Sequence, residues 1–116
     1  MILNKEQILQ SQDLPKELVN VPEWGGEVYV RALTGTERDA FETSIVGGNA
    51  SSKDLSNIRA RLAALTLCDE EGKALFSLKE AVDLGQKSAK ALDRVFSVAQ
   101  RLNGIGAGDV DELAKN

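Results

Sequence analysis

The residue types that carry out most enzyme chemistry near neutral pH are almost absent from this sequence. Its 116 residues include no His and one Cys, Cys68. Without an imidazole, the chain cannot form a Ser-His or Cys-His nucleophilic pair, a His-containing zinc site or a proton shuttle at neutral pH. One Cys allows neither an internal disulfide nor a thiolate cluster. Cys68 ends an apolar run, which indicates a buried structural thiol rather than a nucleophile.

Two segments share some features with ligand-binding motifs. The acidic run at residues 69–71 lacks the alternating oxygen ligands and the distal Glu of a calcium-binding loop, which favours a solvated turn. The glycine-rich segment 104–108 follows no predicted strand and opens no helix with Lys-Ser or Lys-Thr, as a phosphate-binding loop requires. We therefore predict no catalytic residue, no cofactor and no metal ligand. A facing pair among the 18 carboxylates, as in a hydrolase, is the one enzymatic alternative.

Charge is distributed unevenly along the chain. Residues 1–50 carry four basic and eight acidic side chains, while residues 51–116 carry ten of each, so the net charge of −4 lies in the first half. An acidic chain without a basic cluster is not expected to bind nucleic acid. The N-terminus lacks a basic, apolar signal sequence, and the longest nearly apolar stretch, 62–68, is far below the ~20 residues of a membrane span. These features predict a cytoplasmic protein without membrane contact.

Hydrophobic periodicity predicts an α+β fold in which one or two small β-hairpins pack on four to five helices. The predicted helices are residues 4–12, residues 35–46, a helix capped by Ser52 or Asp54 with the apolar stripe Leu55, Ile58, Leu62 and Leu65, residues 77–85 and residues 87–103. The predicted strands are residues 17–21, 27–33, 66–68 and 74–76. We expect a single domain over residues 1–104 and a flexible C-terminal tail over residues 105–116.

Local capping patterns predict where several of these helices begin and end. Capping boxes, in which a polar side chain and a Glu or Gln three residues later satisfy each other's N–H groups, are predicted for Asn4 with Gln7, Thr34 with Glu37, and Ser77 with Glu80. Gly85 and Gly104 follow the last residues of two helices. Glycine at that position favours the left-handed conformation that ends a helix.

Four side chains are candidates for contact with a partner. Trp24 lies at the tip of the predicted first hairpin, where it either caps the edge of the core or anchors a partner. Tyr29 lies on the second strand of that hairpin. Arg31 and Arg38 place positive charge in an acidic half of the chain, either to pair with nearby carboxylates or to contact a partner.

Four short sequence blocks follow one another along residues 14 to about 103. They are Val21-Pro22-Glu23-Trp24-Gly25-Gly26, Val28-x-Val30-Arg31-x-Leu33-Thr34-Gly35-x-Glu37-Arg38, Asp69-x-x-Gly72-x-x-Leu75-Phe76 and Leu84-Gly85-x-Lys87. In this order they resemble the tail assembly chaperones of long-tailed siphophages. The resemblance implies a non-enzymatic helper in the host cytoplasm, absent from the mature virion, that coats the tape measure protein before tail-tube subunits polymerise around it. A structural tail or connector component of the virion is the alternative.

The resemblance also implies particular partners. They are the tape measure protein, further copies of the chain in a homo-oligomer, the tail tube protein, and a longer form of the chain made by programmed −1 frameshifting. The last three residues, Ala114-Lys115-Asn116, can be encoded by GCA AAA AAC, which contains the slippery string A AAA AAC. On this basis we expect the chain to be the short, pre-frameshift form.

Overall fold

The structure is a computed structural model, and it describes residues 1–46 and 55–105. This part of the chain contains five α-helices and one three-stranded sheet. The helices are α1 (Lys5–Gln10), α2 (Gly35–Val46), α3 (Ile58–Thr66), α4 (Ala81–Leu84) and α5 (Ala89–Leu102). The strands are β1 (Lys16–Val21), β2 (Gly26–Arg31) and β3 (Leu67–Cys68), in the order β1-β2-β3 with antiparallel pairing throughout. The predicted α+β fold is confirmed.

The hairpin formed by β1 and β2 has the predicted position, and a tight turn closes it. Residues 22–24 form one turn of 3-10 helix, and Gly25 ends it at φ +74°, with its N–H donating to the Pro22 carbonyl at 3.0 Å. A residue with a side chain would be strained at that φ, which accounts for glycine here. The second predicted hairpin is reduced to two residues of β3 and a single bridge between Cys68 and Ala74.

Helix α3 lies at the centre of the core. Its residues from Ala60 to Thr66 are all buried, because α2, α4 and α5 pack around it. The alanines at positions 60, 63 and 64 have short side chains that let these neighbouring helices approach closely. Among the largest fully buried side chains are Phe41 and Ile45 of α2, Leu62 of α3 and Val95 of α5.

The predicted beginning of α3 is wrong, because Leu55 was expected to lie within the helix. The helix begins at Ile58, because Asn57 adopts a left-handed conformation with φ +53° that interrupts the helical path. Leu55 therefore lies before the helix and is exposed, instead of extending its apolar stripe. Ser52 and Asp54, the predicted caps, lie outside the described residues.

The two glycines predicted to end helices behave differently. Gly104 adopts φ +64° after α5, as predicted. Gly85 is right-handed at φ −61°, so that prediction is wrong. A Cβ on Gly85 would lie 2.6 Å from Oδ1 of Asn57, so glycine there permits a close approach between two segments of the chain.

The predicted capping pairs are present in the structure. The Glu37 N–H donates to the Thr34 hydroxyl at 3.1 Å, and the Thr34 N–H donates to the Glu37 carboxylate at 3.0 Å. Asn4 and Gln7 cap α1 reciprocally. Glu80 accepts the N–H of Ser77 at the start of a 3-10 turn that precedes α4.

The glycine- and serine-rich segment 47–52, which its composition predicts to be a loop, lies outside the described residues, as do residues 106–116 of the predicted tail. Ile105, the first residue of that tail, is buried in the core. Within residues 1–46 and 55–105, no helix combines the length and apolar character needed to cross a membrane.

Candidate functional site

An open apolar groove lies beside the turn between β1 and β2. Its lining combines six apolar side chains with one acid and one base: Trp24, Val28, Leu67, Leu75, Phe76 and Leu84, with Glu23 and Lys87. We call it the Trp24 groove. Its volume is about 470 Å³, within the range of about 300 to 1,000 Å³ typical of binding clefts. The turn, β2, β3 and the segment after it, and the end of α4 with the residues that follow supply this lining, so the groove forms only when the chain folds.

Trp24 is half-buried and packs against the core while it lines the groove. The 3-10 turn that follows β1 carries Trp24, which lines the groove together with Phe76 and Leu84, the last residue of α4. Leu75 lines the same groove and is 52% exposed. The groove therefore leaves apolar surface accessible to a partner.

A bidentate ion pair holds the hairpin turn against α5. Arg94 donates through Nε to one oxygen of Glu23 at 2.8 Å and through a terminal nitrogen to the other at 3.1 Å. The hydrogen bond from Arg94 lowers the pKa of Glu23, so the carboxylate stays charged beside the groove. Lys87 and Lys90, both exposed, lie just before and on the first turn of α5. Of these two lysines, Lys87 lines the groove and supplies its basic side chain.

Arg31, one of the predicted partner-contact residues, is only 8% exposed. One terminal nitrogen donates to the Glu37 carboxylate at 2.6 Å and to the Leu65 carbonyl at 2.9 Å, which ties β2 to α2 and α3. Burial alone would raise the pKa of Glu37, but the Thr34 N–H and the Arg31 guanidinium hold it below its ordinary value. Nε of Arg31 is buried without a hydrogen-bond partner among the described residues. The Arg31 side chain therefore makes its contacts within the fold rather than at the surface.

Arg38 joins α2 to the end of α5. Its Nε lies 3.3 Å from the Glu42 carboxylate, and a terminal nitrogen donates to the Asn103 carbonyl at 3.0 Å. The Asn103 side chain in turn accepts the Leu33 N–H at 2.6 Å. Arg38 also lines a second, more polar cavity of about 500 Å³ near Leu14, away from the Trp24 groove.

Tyr29 lies on β2 and is half-buried. The ammonium group of Lys16 lies 5.3 Å from the centre of its ring, a cation–π distance. Of the four predicted partner-contact residues, the structure therefore places only Trp24 in the groove. The residues that complete the groove were not singled out as contacts, although Leu75 and Phe76 belong to one of the sequence blocks described above.

Cys68 and Asp69 have side chains that could react or bind a metal ion, but both lie in structural surroundings. Burial raises the pKa of the Cys68 thiol, which is almost fully enclosed. The Asp69 carboxylate accepts the N–H groups of Lys73 and Glu71 at 3.0 and 2.9 Å, and these bonds lower its pKa. In the described ranges no three or more His, Cys, Asp or Glu side chains come together as a metal site would require.

Comparison with known proteins identifies the family. The family model for phage tail assembly chaperones matches residues 4–116, so the chain belongs to this family. The structure of the bacteriophage HK97 tail assembly chaperone superimposes with a TM-score of 0.60 at 20% sequence identity, over 84% of this chain and 94% of that chain. This likeness shows a shared fold. Among curated proteins, no match is found.

Proposed function

We propose that this phage tail assembly chaperone binds apolar helical segments of the tape measure protein in the Trp24 groove. The observation that carries the proposal is an open groove with six apolar lining residues on a chain of this family. Grooves of this kind accept the apolar face of an amphipathic helix. Binding covers client surface that would otherwise aggregate, and it needs no catalytic residue.

The small size of the groove favours a coat of many copies. A volume of about 470 Å³ accommodates only a few side chains of a client helix, so each contact is weak. Many weak contacts along one long client combine into strong overall binding when the copies are linked to one another. In this proposal a homo-oligomer in the host cytoplasm coats the tape measure protein, and the chaperone leaves before the virion is complete.

The longer frameshifted form and the tail tube protein are further proposed partners. A longer form with an added domain would connect the coat to incoming tube subunits. The residues that carry the slippery string, 114–116, lie outside the described part of the chain, so the gene supplies the test. Codons that break A AAA AAC, or a closed −1 frame downstream, would contradict the short-form assignment.

Co-expression with the tape measure protein from the same genome tests the proposal. We expect the chaperone to raise the soluble yield of the client, and Leu75→Asp to reduce this effect because it places a charge in the groove. Val82→Asp is the matched control, since Val82 is 61% exposed on α4 and does not line the groove. A soluble yield that does not depend on the chaperone would count against client binding.

A structural component of the virion remains the competing function. Mass spectrometry of purified particles separates the two roles, because a chaperone is absent from finished particles. Stoichiometric amounts of this chain in the particle would favour the structural role.

A further inference from the structure

Two ionisable side chains line the Trp24 groove, and the fold compensates only one of them. Arg94 of α5 holds both carboxylate oxygens of Glu23, at 2.8 and 3.1 Å. Lys90, on the first turn of α5, adds a further positive charge that helps to lower the pKa of Glu23. The negative charge at the groove is therefore already neutralised within the chain.

Lys87 has no such partner. It is exposed while it lines the groove, and within residues 1–46 and 55–105 it forms no ion pair. The nearest acid in the sequence, Asp83, lies four residues earlier and is not paired with it in those ranges. The Lys87 ammonium group is thus the uncompensated charge in the lining.

A helix that covers the groove brings several of its residues to the rim. The volume of about 470 Å³ corresponds to roughly 8 Å in each direction, so the groove holds only a few side chains. Residues three or four positions from a seated side chain lie one helical turn, about 5.4 Å, along the same face of a bound helix. They therefore meet the rim, where a charged lining residue can contact them.

The charge of those rim residues affects how tightly the helix binds. A partner that covers Lys87 with apolar surface removes water from the ammonium group and leaves it unpaired, which costs free energy. A carboxylate at that position replaces the lost water, whereas a second ammonium group repels Lys87. The groove should therefore distinguish between helices that have the same apolar face and different charges.

We propose that Lys87 makes the Trp24 groove selective for amphipathic helices that carry a carboxylate one turn from their apolar anchor. The anchor, a large apolar side chain, packs beside Trp24, Leu75 and Phe76, and an Asp or Glu three or four residues away pairs with Lys87. This selectivity rests on the proposed function, in which the groove binds helical segments of the tape measure protein. It adds the chemical class of segment that the groove accepts.

The overall charge of the chain makes the selectivity a local effect. With a net charge of −4, the chain as a whole weakly repels an acidic segment. A preference for acid must therefore arise from the charges at the groove. It should depend on Lys87 and persist when an equal charge is changed elsewhere. Lys79 offers that comparison, since it is exposed and does not line the groove.

Titration of the purified chain with three synthetic peptides measures the selectivity. Each is a capped helical peptide of alanine and glutamine with two leucines four residues apart, followed four residues later by Glu, Gln or Lys, and circular dichroism confirms equal helicity. Binding is followed by the fluorescence of Trp24, the single tryptophan, because it lines the groove. The Glu peptide should bind about three- to tenfold more tightly than the Lys peptide, with the Gln peptide between them.

A pair of lysine variants separates the local charge from the net charge. Lys87→Glu should reverse the order of the Glu and Lys peptides. Lys79→Glu changes the net charge equally, from −4 to −6, and should keep the order. Both lysines are exposed, so neither variant is expected to unfold the chain.

A pair of arginine variants tests the role of the neutralised acid. Arg94→Gln releases Glu23, whose charge then opposes the Glu of the peptide, so the preference should shrink to less than about twofold although Lys87 is unchanged. Arg101→Gln also breaks an ion pair made by α5, with Glu17, which does not line the groove, and should leave the preference intact.

The outcomes distinguish the selectivity from the proposed function. Equal binding of the Glu and Lys peptides would overturn the selectivity and leave the groove as the binding site. So would a preference that Lys79→Glu alters as much as Lys87→Glu does. Failure of all three peptides to bind at millimolar concentration would contradict the proposed function itself, as would binding that neither changes Trp24 fluorescence nor weakens in Leu75→Asp.

Discussion

Replacement of Arg31 by alanine should destabilise the fold, because this side chain joins three elements from a buried position. Its guanidinium donates to Glu37 at 2.6 Å and to the Leu65 carbonyl at 2.9 Å. Leu65 lies in the last turn of α3, where carbonyl groups have no partner within the helix. Arg31→Ala therefore removes two charge-assisted hydrogen bonds and leaves one buried carbonyl without its donor.

The expected loss is about 2 to 4 kcal/mol in the free energy of unfolding. A hydrogen bond to a charged group contributes about 1.5 to 3 kcal/mol, and a buried group that loses its partner costs about 1 to 3 kcal/mol. Disruption of a fully buried ion pair costs about 3 to 5 kcal/mol. The expected loss is about 1 kcal/mol smaller than in that case, because the Glu37 side chain is 27% exposed and water can solvate its carboxylate after the change.

Urea unfolding followed by the fluorescence of Trp24, the single tryptophan, measures the effect. The urea concentration at the midpoint of unfolding should fall. The slope of the free energy of unfolding against urea concentration should stay the same, as expected for a change in stability alone. Arg101→Ala is the matched control, since its ion pair with Glu17 lies between exposed side chains and should contribute less than about 1 kcal/mol.

Equal, small losses for Arg31→Ala and Arg101→Ala would refute the reasoning. An Arg31→Ala chain with unchanged stability but lost client solubilisation would instead show that Arg31 contacts a partner, the other interpretation of its sequence position.

Three further predictions concern individual side chains. Asn103→Ala should cost about 1 to 2 kcal/mol in urea unfolding, because the Leu33 N–H loses its 2.6 Å acceptor. The pKa of Glu37 is lowered from its ordinary value of 4.5, so the carboxylate stabilises the fold fully at pH values above 4.5. This stabilisation is lost as the pH falls through the folded-state pKa, and Glu37→Gln should reduce that acid-dependent loss. Buried Cys68 should react with a thiol reagent about a thousandfold more slowly in the folded chain than in urea.

Each of these predictions has a contradicting outcome. An Asn103→Ala chain as stable as the original would show that water replaces the lost acceptor. Identical acid-unfolding profiles for the Glu37→Gln variant and the original would show that other carboxylates dominate the acid transition. Rapid labelling of Cys68 in the folded chain would show that β3 opens locally.

Features set by neighbouring residues could be predicted well from the sequence. The β1–β2 hairpin lies where residues 17–33 predicted it, and α2 has its predicted bounds, 35–46. In both cases a turn or cap only a few residues long determines where the element begins. The beginning of α3 could not be predicted in this way, because the left-handed conformation of Asn57 accompanies its close approach to Gly85, 28 residues away in the chain.

The candidate site shows the same division. The sequence indicated Trp24 as a contact residue but could not show that Phe76 and Leu84 lie beside it, since packing around α3 brings these segments together. The sequence also could not show that Arg31 is buried rather than exposed. Burial depends on which elements surround β2, and the Glu37 and Leu65 partners come from two different helices.

The amino-acid sequence by itself determined the family, the α+β class and the lack of histidine chemistry, because these follow from residue type, order and local capping. The tertiary structure decided which side chains are accessible. It turned Arg31 inward, left Leu9 and Leu75 exposed, and assembled one apolar groove from segments distant in sequence. The physical reason is that burial belongs to the packed arrangement of all elements, whereas caps and turns depend on a few adjacent residues.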